Sequence, residues 1–388
     1  MSDKRALLFV GICTAFILGY MTQFITAWLV GALITDLDYS GTRAGFLVSL
    51  EYLSIAVAAM AVAPFADRVS VKSCAVAGGL LLLSANLAAM FVEGFGVLAI
   101  TRVAAGIGSG LAMAMGSASL ARMANPERAY AQVQIVGAIM GAVIMYSAGY
   151  AVTGFGYRGV FGLSVSLCLV GLALLLLLPR QAPPSSSGPA TGLPRLFGAG
   201  GLVLLCMFVF MVSQGALWGF VERKGHAIAM NQEQLSAAFG IANIVGISGA
   251  VAATWANVRF GRVLPVLLGF SVYAVFLYLM FVTGLPSLFM LSFCVMQVLW
   301  FFCLPYIFGA AAAIDPHGGL AAAVTSTMLI GLAAGPAVGG LLFDYQGMVA
   351  IAWFSSVGTL ASMVLLLAAI GRIEPQAGAL ATPMDSTG

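Results

Sequence analysis

Long apolar runs separated by short charged, proline or glycine breaks fill this chain almost from end to end. A run of about 20 apolar residues is long enough to cross a bilayer as a helix. Helices also satisfy their own backbone hydrogen bonds in lipid. The pattern predicts twelve such spans, near 6–35, 43–64, 72–92, 96–123, 127–151 and 158–178 in the first half, then 196–221, 232–256, 262–284, 286–313, 317–342 and 347–371. The short alternating segments of an outer-membrane barrel are not seen. The predicted fold class is therefore an all-α membrane protein with twelve transmembrane helices in two pseudo-symmetric six-helix bundles. Residues 1–178 form the N-terminal bundle and 196–371 the C-terminal bundle. Between them, 179–195 reads as a solvated cytoplasmic linker, because Ala182-Pro183-Pro184-Ser185-Ser186-Ser187-Gly188-Pro189 favours an open chain. The stretch 372–388 reads as a disordered cytoplasmic tail.

Composition agrees with lipid as the solvent. Of 388 residues, 62% are hydrophobic and 7% charged, with mean hydropathy +1.07, against about 25% charged in soluble domains. The apolar run after Met1–Arg5 continues to about Ile34, too long for the core of a signal peptide, so it reads as the first span. Cys13, Cys74, Cys168, Cys206, Cys294 and Cys303 are scattered singly, with no disulfide framework or zinc spacing. No basic run marks a nucleic-acid surface.

Basic residues set the orientation. With the N-terminus inside, the inner loops and tails hold eleven (Lys4, Arg5, Arg68, Lys72, Arg122, Arg128, Arg180, Arg195, Arg259, Arg262, Arg372). The outer loops hold four (Arg43, Arg158, Arg223, Lys224). Positive charge concentrates on the cytoplasmic side of membrane proteins, so both termini are expected there, in a cell inner membrane. The halves also echo one another. Val258 of Thr254–Arg262 follows Asp67 of Ala63–Lys72 by 191 positions. Asp315-Pro316 follows Asn125-Pro126 by 190, and Gly331-xxx-Gly335 follows Gly137-xxx-Gly141 by 194. The Asn/Asp-Pro pairs suit a helix N-cap and first turn. Parallel repeats that bind solute at their interface are a transporter architecture.

Asp67-Arg68-x-Ser70-x-Lys72 resembles the loop motif of the major facilitator superfamily, with Ala63 and Ser70 in place of its glycines. The second copy keeps Arg259, Gly261 and Arg262 but has Val258 where the acid belongs. Leu98-xxx-Arg102-xxx-Gly106-x-Gly108-x-Gly110 is similar to the family's fourth-helix motif, and Gly335-Pro336-xx-Gly339-Gly340-xxx-Asp344 to its eleventh-helix pattern. Gly141-Ala142 departs from the Gly-Pro pair of drug/proton antiporters. The resemblance implies a cytoplasmic gate at Asp67, Arg68, Lys72, Arg259 and Arg262, the alternative being a plain topogenic basic loop. It also implies a cavity lined by the first, fourth, seventh and tenth spans. Their polar and aromatic residues are Tyr20, Gln23, Trp28, Arg102, Gln214, Trp218, Gln297, Trp300 and Tyr306, with Phe301 and Phe302 as further ring surface. Aromatics also anchor spans at the interface, and amides also bond helix to helix. Gly106, Gly110, Gly141, Gly335 and Pro336 read as close helix packing, with Pro336 able to bend its helix.

Glu51 and Arg102 lie about 12 and 9 Å from the outer ends of their spans, counted at 1.5 Å per residue, so they are expected to meet. An ionisable group at that depth is a functional candidate by default. One reading makes Glu51 and Arg102 a proton-coupling pair whose arginine also greets substrate; the other makes them a permanent structural ion pair. His226 and His317 lack metal-spaced partners and read as solvated surface residues. Gly106, Gly108 and Gly110 follow no strand and precede no Walker lysine, so no phosphate loop is expected.

The expected function is secondary active transport of a small organic solute by alternating access, proton-coupled, with uptake of an organic anion or aromatic compound favoured. Alternatives are a proton-driven efflux antiporter and a transport-inactive membrane sensor. Enzyme chemistry finds no acid–base constellation. The expected partners are a small-molecule substrate, protons and the lipid bilayer, with the chain a monomer; no nucleic acid, cofactor or metal is expected.

Overall fold

A computed structural model describes residues 2–62, 65, 68–123, 126–179, 198–315 and 319–380. The linker from Arg180 to Phe197, and with it Arg195, lies outside them, as do Asp67, Asn125, Pro316 and His317. The helices are α1 (Ser2–Asp36), α2 (Gly41–Val62), α3 (Val71–Ala89), α4 (Phe95–Leu120), α5 (Pro126–Leu175), α6 (Ala199–Trp218), α7 (Val221–Ala227), α8 (Gln232–Phe260), α9 (Val263–Val282), α10 (Pro286–Ile314), α11 (Gly319–Gln346) and α12 (Met348–Leu380). Eleven are long and apolar enough to cross a membrane. No strand occurs among the described residues.

α5 accounts for two of the expected spans. Its 50 residues would measure about 75 Å as a straight rod, more than twice the hydrocarbon thickness of about 30 Å. The break falls at Gly156, whose φ of 60° is left-handed, a region glycine enters without cost. Asp36 Oδ2 accepts a hydrogen bond from the Tyr157 amide at 2.6 Å, supporting the start of the second limb. The expected seventh span ends earlier than its apolar run suggests. Helix α6 stops at Trp218 and the short α7 follows, so Glu222 to His226 are helical rather than loop. Helix α12 runs through Leu380, past the expected end of the last span at 371.

Within the first half, α1 packs on α2, α4 and α5, and α4 packs on α2 and α3. In the second half, α12 packs on α6 and α9, while α10 packs on α8 and α9. Between halves the main contacts are α2 with α11 and α5 with α8. Odd and even spans run oppositely, so one face carries the start of α1 and the end of α12; it is called the terminal face below, and the opposite one the far face.

The α2–α11 seam closes the far face. Asp344, near the end of α11, accepts hydrogen bonds from the amides of Gly41 and Thr42 at 2.8 and 2.7 Å, and from the Thr42 hydroxyl at 2.7 Å. A carboxylate suits the unpaired amides at a helix start. Deeper in, the Ala337 amide donates to Ser49 Oγ at 2.9 Å. Backbones approach so closely that a Cβ at Gly45 would lie 2.1 Å from the Pro336 carbonyl oxygen. Among the expected packing residues, Gly106 and Gly110 meet the α2 backbone, Gly335 faces Gly215 of α6, and Gly141 lies against Phe24 and Asn243.

Candidate functional site

A chamber of about 390 Å³ lies between the halves. It is walled by Tyr20 and Gln23 of α1, Tyr130 and Gln134 of α5, Trp218 of α6, Asn243 of α8, and Gln297 and Trp300 of α10. Met113 and Ser117 of α4, Phe301 of α10 and Thr325 of α11 also line it. The lining starts at Tyr130 on α5, about 6 Å from that helix's first residue at 1.5 Å per residue. It likewise follows the terminal-face portions of α4, α10 and α11. The chamber therefore runs toward the terminal face, while the α2–α11 contacts block it from the far one.

Each wall group is set by its helix. The Asn243 amide donates to the Ala138 carbonyl of α5 at 2.6 Å and accepts from Gln297 Nε2 at 3.3 Å. That chain of amides ties both halves to α10. Gln297 Oε1 and the Trp218 indole N–H have no hydrogen-bond partner in the protein. Trp300 stacks on Phe210 at 5.8 Å, and Trp218 meets Phe293 edge-on at 5.8 Å, which fixes both indoles.

Of the residues expected from the sequence, Tyr20, Gln23, Trp218, Gln297, Trp300 and Phe301 share this chamber. Arg102, Gln214, Tyr306, Trp28 and Phe302 do not line it. Gln214 is fully buried inside the second half, accepting from the Tyr273 hydroxyl at 2.9 Å and donating to Thr359 at 3.3 Å. The Tyr306 hydroxyl donates to the Ala253 carbonyl at 3.1 Å, and Trp28 packs on Phe239. Gln134, Asn243, Tyr130 and Thr325 were missed because the expectation stopped at four spans. A lone amide in an apolar run was the available signal, since an amide facing lipid is costly.

Glu51 and Arg102 do meet, at 3.1 Å, each 1% exposed. Glu51 also accepts from the Thr22 hydroxyl at 2.7 Å, and Arg102 donates to Asn86 Oδ1 at 3.1 Å. The guanidinium lies over the Phe161 ring at 4.5 Å. One cluster thus joins α1, α2, α3, α4 and the second limb of α5. Arg102 is consequently not placed to greet a solute in the chamber.

Among the gate candidates, Asp67 lies outside the described residues. Lys72 donates to the Leu176 carbonyl within its own half, and Arg259 lies over Trp255 at 5.0 Å. Among the described residues, no hydrogen bond or ion pair joins Arg68, Lys72, Arg259 or Arg262 across the halves, as suits a face toward which the chamber runs. Asp315 accepts from the Leu320 amide at 2.8 Å, capping α11.

The far face holds a second buried carboxylate that the sequence reading missed. Glu222 is 4% exposed, with Oε1 3.0 Å from His226 Nε2 and Oε2 unpartnered. It packs so tightly on α1 that only the missing side chain of Gly31 admits it. His226 is therefore not a free surface residue. Its hydrogen bond to Glu222 raises its pKa above the ordinary 6.5, against the opposing effect of burial. Arg223 donates to Thr35 Oγ1 at 2.8 Å beside it.

A family model described as Major Facilitator Superfamily matches residues 11–318. The chain belongs to that superfamily. It is a multi-pass membrane transporter rather than an enzyme. No curated protein matches it significantly. Solved structures share the fold at low identity. The nucleoside transporter NupG superposes with a TM-score of 0.74 at 13% identity, covering 95% of this chain and 99% of that one. A D-xylose–proton symporter gives 0.71 at 14%, covering 92% and 95%. The human organic anion transporter MFSD10 gives 0.65 at 14%, covering 93% and 98%.

Proposed function

We propose that this superfamily member is a secondary transporter that binds a small organic solute in the central chamber and exposes it alternately to the two faces. The observation that carries the reading is the chamber itself, lined from both halves, blocked at the far face by Asp344 and the Gly45–Pro336 approach, and extended toward the other. The basic residues make the terminal face cytoplasmic, so the conformation is inward-facing, in an inner membrane with both chain ends inside. Transport then requires the α2–α11 and α5–α8 contacts to part at the far face while the Arg68–Lys72 and Arg259–Arg262 loops approach one another at the other.

Fold relatives carry a pentose, a nucleoside and organic anions, so the fold leaves the solute class open. The buried Arg102 removes the support for an arginine-bound organic anion. Proton coupling is supported by Glu51, whose Oε1 is held by Thr22, the neighbour of chamber-lining Gln23 on α1. A change in its charge would reach the wall through that bond. The test is solute uptake by proteoliposomes across a panel of candidate solutes, with and without an imposed pH gradient, for wild type and Glu51→Gln. A gradient-driven flux that the substitution uncouples is expected. An unchanged pH dependence in Glu51→Gln would remove the proton role, and no flux of any solute would favour a transport-inactive sensor.

A further inference from the structure

The chamber wall contains no Asp, Glu, Lys, Arg or His among the described residues. The charged residues described below lie outside the wall. Glu51 and Arg102 neutralise one another, 1% exposed, inside the first half, and Arg128 at the start of α5 is exposed and outside the lining. What the wall offers instead is neutral and directional: four side-chain amides, the hydroxyls of two tyrosines, a serine and a threonine, and two indoles. Two of these groups are both buried and unmatched. Gln297, 3% exposed, is oriented by its Nε2 bond to Asn243, which leaves Oε1 as an unpaired acceptor; Trp218, 6% exposed, keeps an unpaired N–H donor.

An ion entering this chamber would leave water without gaining a counterion, a heavy cost in a low-dielectric interior. An uncharged solute loses only hydrogen bonds that the amides can replace, and its flat face gains contact with Trp and Tyr rings. We propose that the chamber selects an uncharged, planar or aromatic solute bearing amide- or hydroxyl-type donors and acceptors, with Gln297 and Trp218 reading its polar edge. Carboxylate and ammonium analogues of the same shape are rejected. This rests on the chamber being the solute site.

The experiment compares isosteres on the purified full-length protein by titration calorimetry and ligand-induced thermal shift. Benzamide, benzoate and benzylammonium form one set, nicotinamide and nicotinate a second. The uncharged member is expected to bind at least about tenfold more tightly than its ionised analogues. Gln297→Leu should weaken benzamide about three- to tenfold, whereas Gln297→Glu should shift preference toward benzylammonium. If Gln297→Leu fails to fold, Gln134→Leu on the exposed part of the wall serves the same purpose. An ionised analogue that binds wild type as well as benzamide overturns the proposal. So does failure of both amides to bind up to their solubility limits. Counterflow of labelled nicotinamide in proteoliposomes separates the two readings: binding without counterflow overturns transport while the selectivity stands, and counterflow with preference for nicotinate overturns the selectivity alone.

Discussion

In the first half, the deepest polar cluster is ionic: Glu51, Arg102, Thr22 and Asn86 bond helix to helix around a guanidinium stacked on Phe161. In the second half, the comparable cluster is neutral: Gln214 bonds to Tyr273 and Thr359, joining α6, α9 and α12. Both are sealed from solvent, yet they differ in what their loss costs. Each ion depends on its partner to remain buried, whereas an amide or hydroxyl loses one modest bond. Removing one partner is therefore costlier in the first half than in the second. Its charges are consumed internally, which keeps them off the chamber wall.

Removing one ion is the sharpest way to break this contrast. Arg102→Ala should lower stability by about 3–5 kcal/mol, because Glu51 is left buried without its counterion. Gln214→Leu, which leaves Tyr273 unbonded, should cost only about 1–3 kcal/mol. Unfolding in a dodecyl sulfate titration measures both, and equal losses would remove the distinction. A cost comparable to that of Gln214→Leu, about 1–3 kcal/mol, is expected at the seam, where Gly45→Val must push α2 off the Pro336 carbonyl. Ser49→Cys in that background should then react faster with an impermeant maleimide than in wild type; no change would mean that the seam yields elsewhere.

The smallest effect belongs to His226. Its pKa is raised by Glu222, one turn earlier on the same helix, so its contribution to stability is fully present below the ordinary 6.5 and is lost as pH rises through the raised value. Lys224 and Arg223 on the same helix are the neighbouring cations, and Asp36 on α1 is engaged with Tyr157. Stability in the same dodecyl sulfate titration should fall from pH 6 to 9 in the wild-type chain and lose that slope in His226→Gln. A slope that survives the substitution would place the titration elsewhere.

Much of the fold was legible because crossing a bilayer demands long apolar runs whatever their neighbours are. The meeting of Glu51 with Arg102 was legible for a related reason: two charges at similar depth in lipid have few alternatives to each other. The chamber was harder to read. Apolar side chains face both lipid and protein, so a span such as α8 carries little sign of which side holds Asn243. The family resemblance placed Gln214 and Tyr306 on cavity-lining spans without showing that they turn into the second half. Glu222 was missed because the apolar run ended one residue earlier, although the helical turn beyond it remains buried against Gly31.

The grip of Asp344 on the first amides of α2 has a mechanical consequence. Neither α2 nor α11 is interrupted between the far face and the terminal one, so each acts as one beam, and the beams cross near Gly45 and Pro336, where α11 lacks one backbone N–H. Clasping the beams at one tip splays them at the opposite tip. Release of that carboxylate from two backbone amides and the Thr42 hydroxyl is then one step in reversing the tilt, and the crossing glycine serves as the fulcrum.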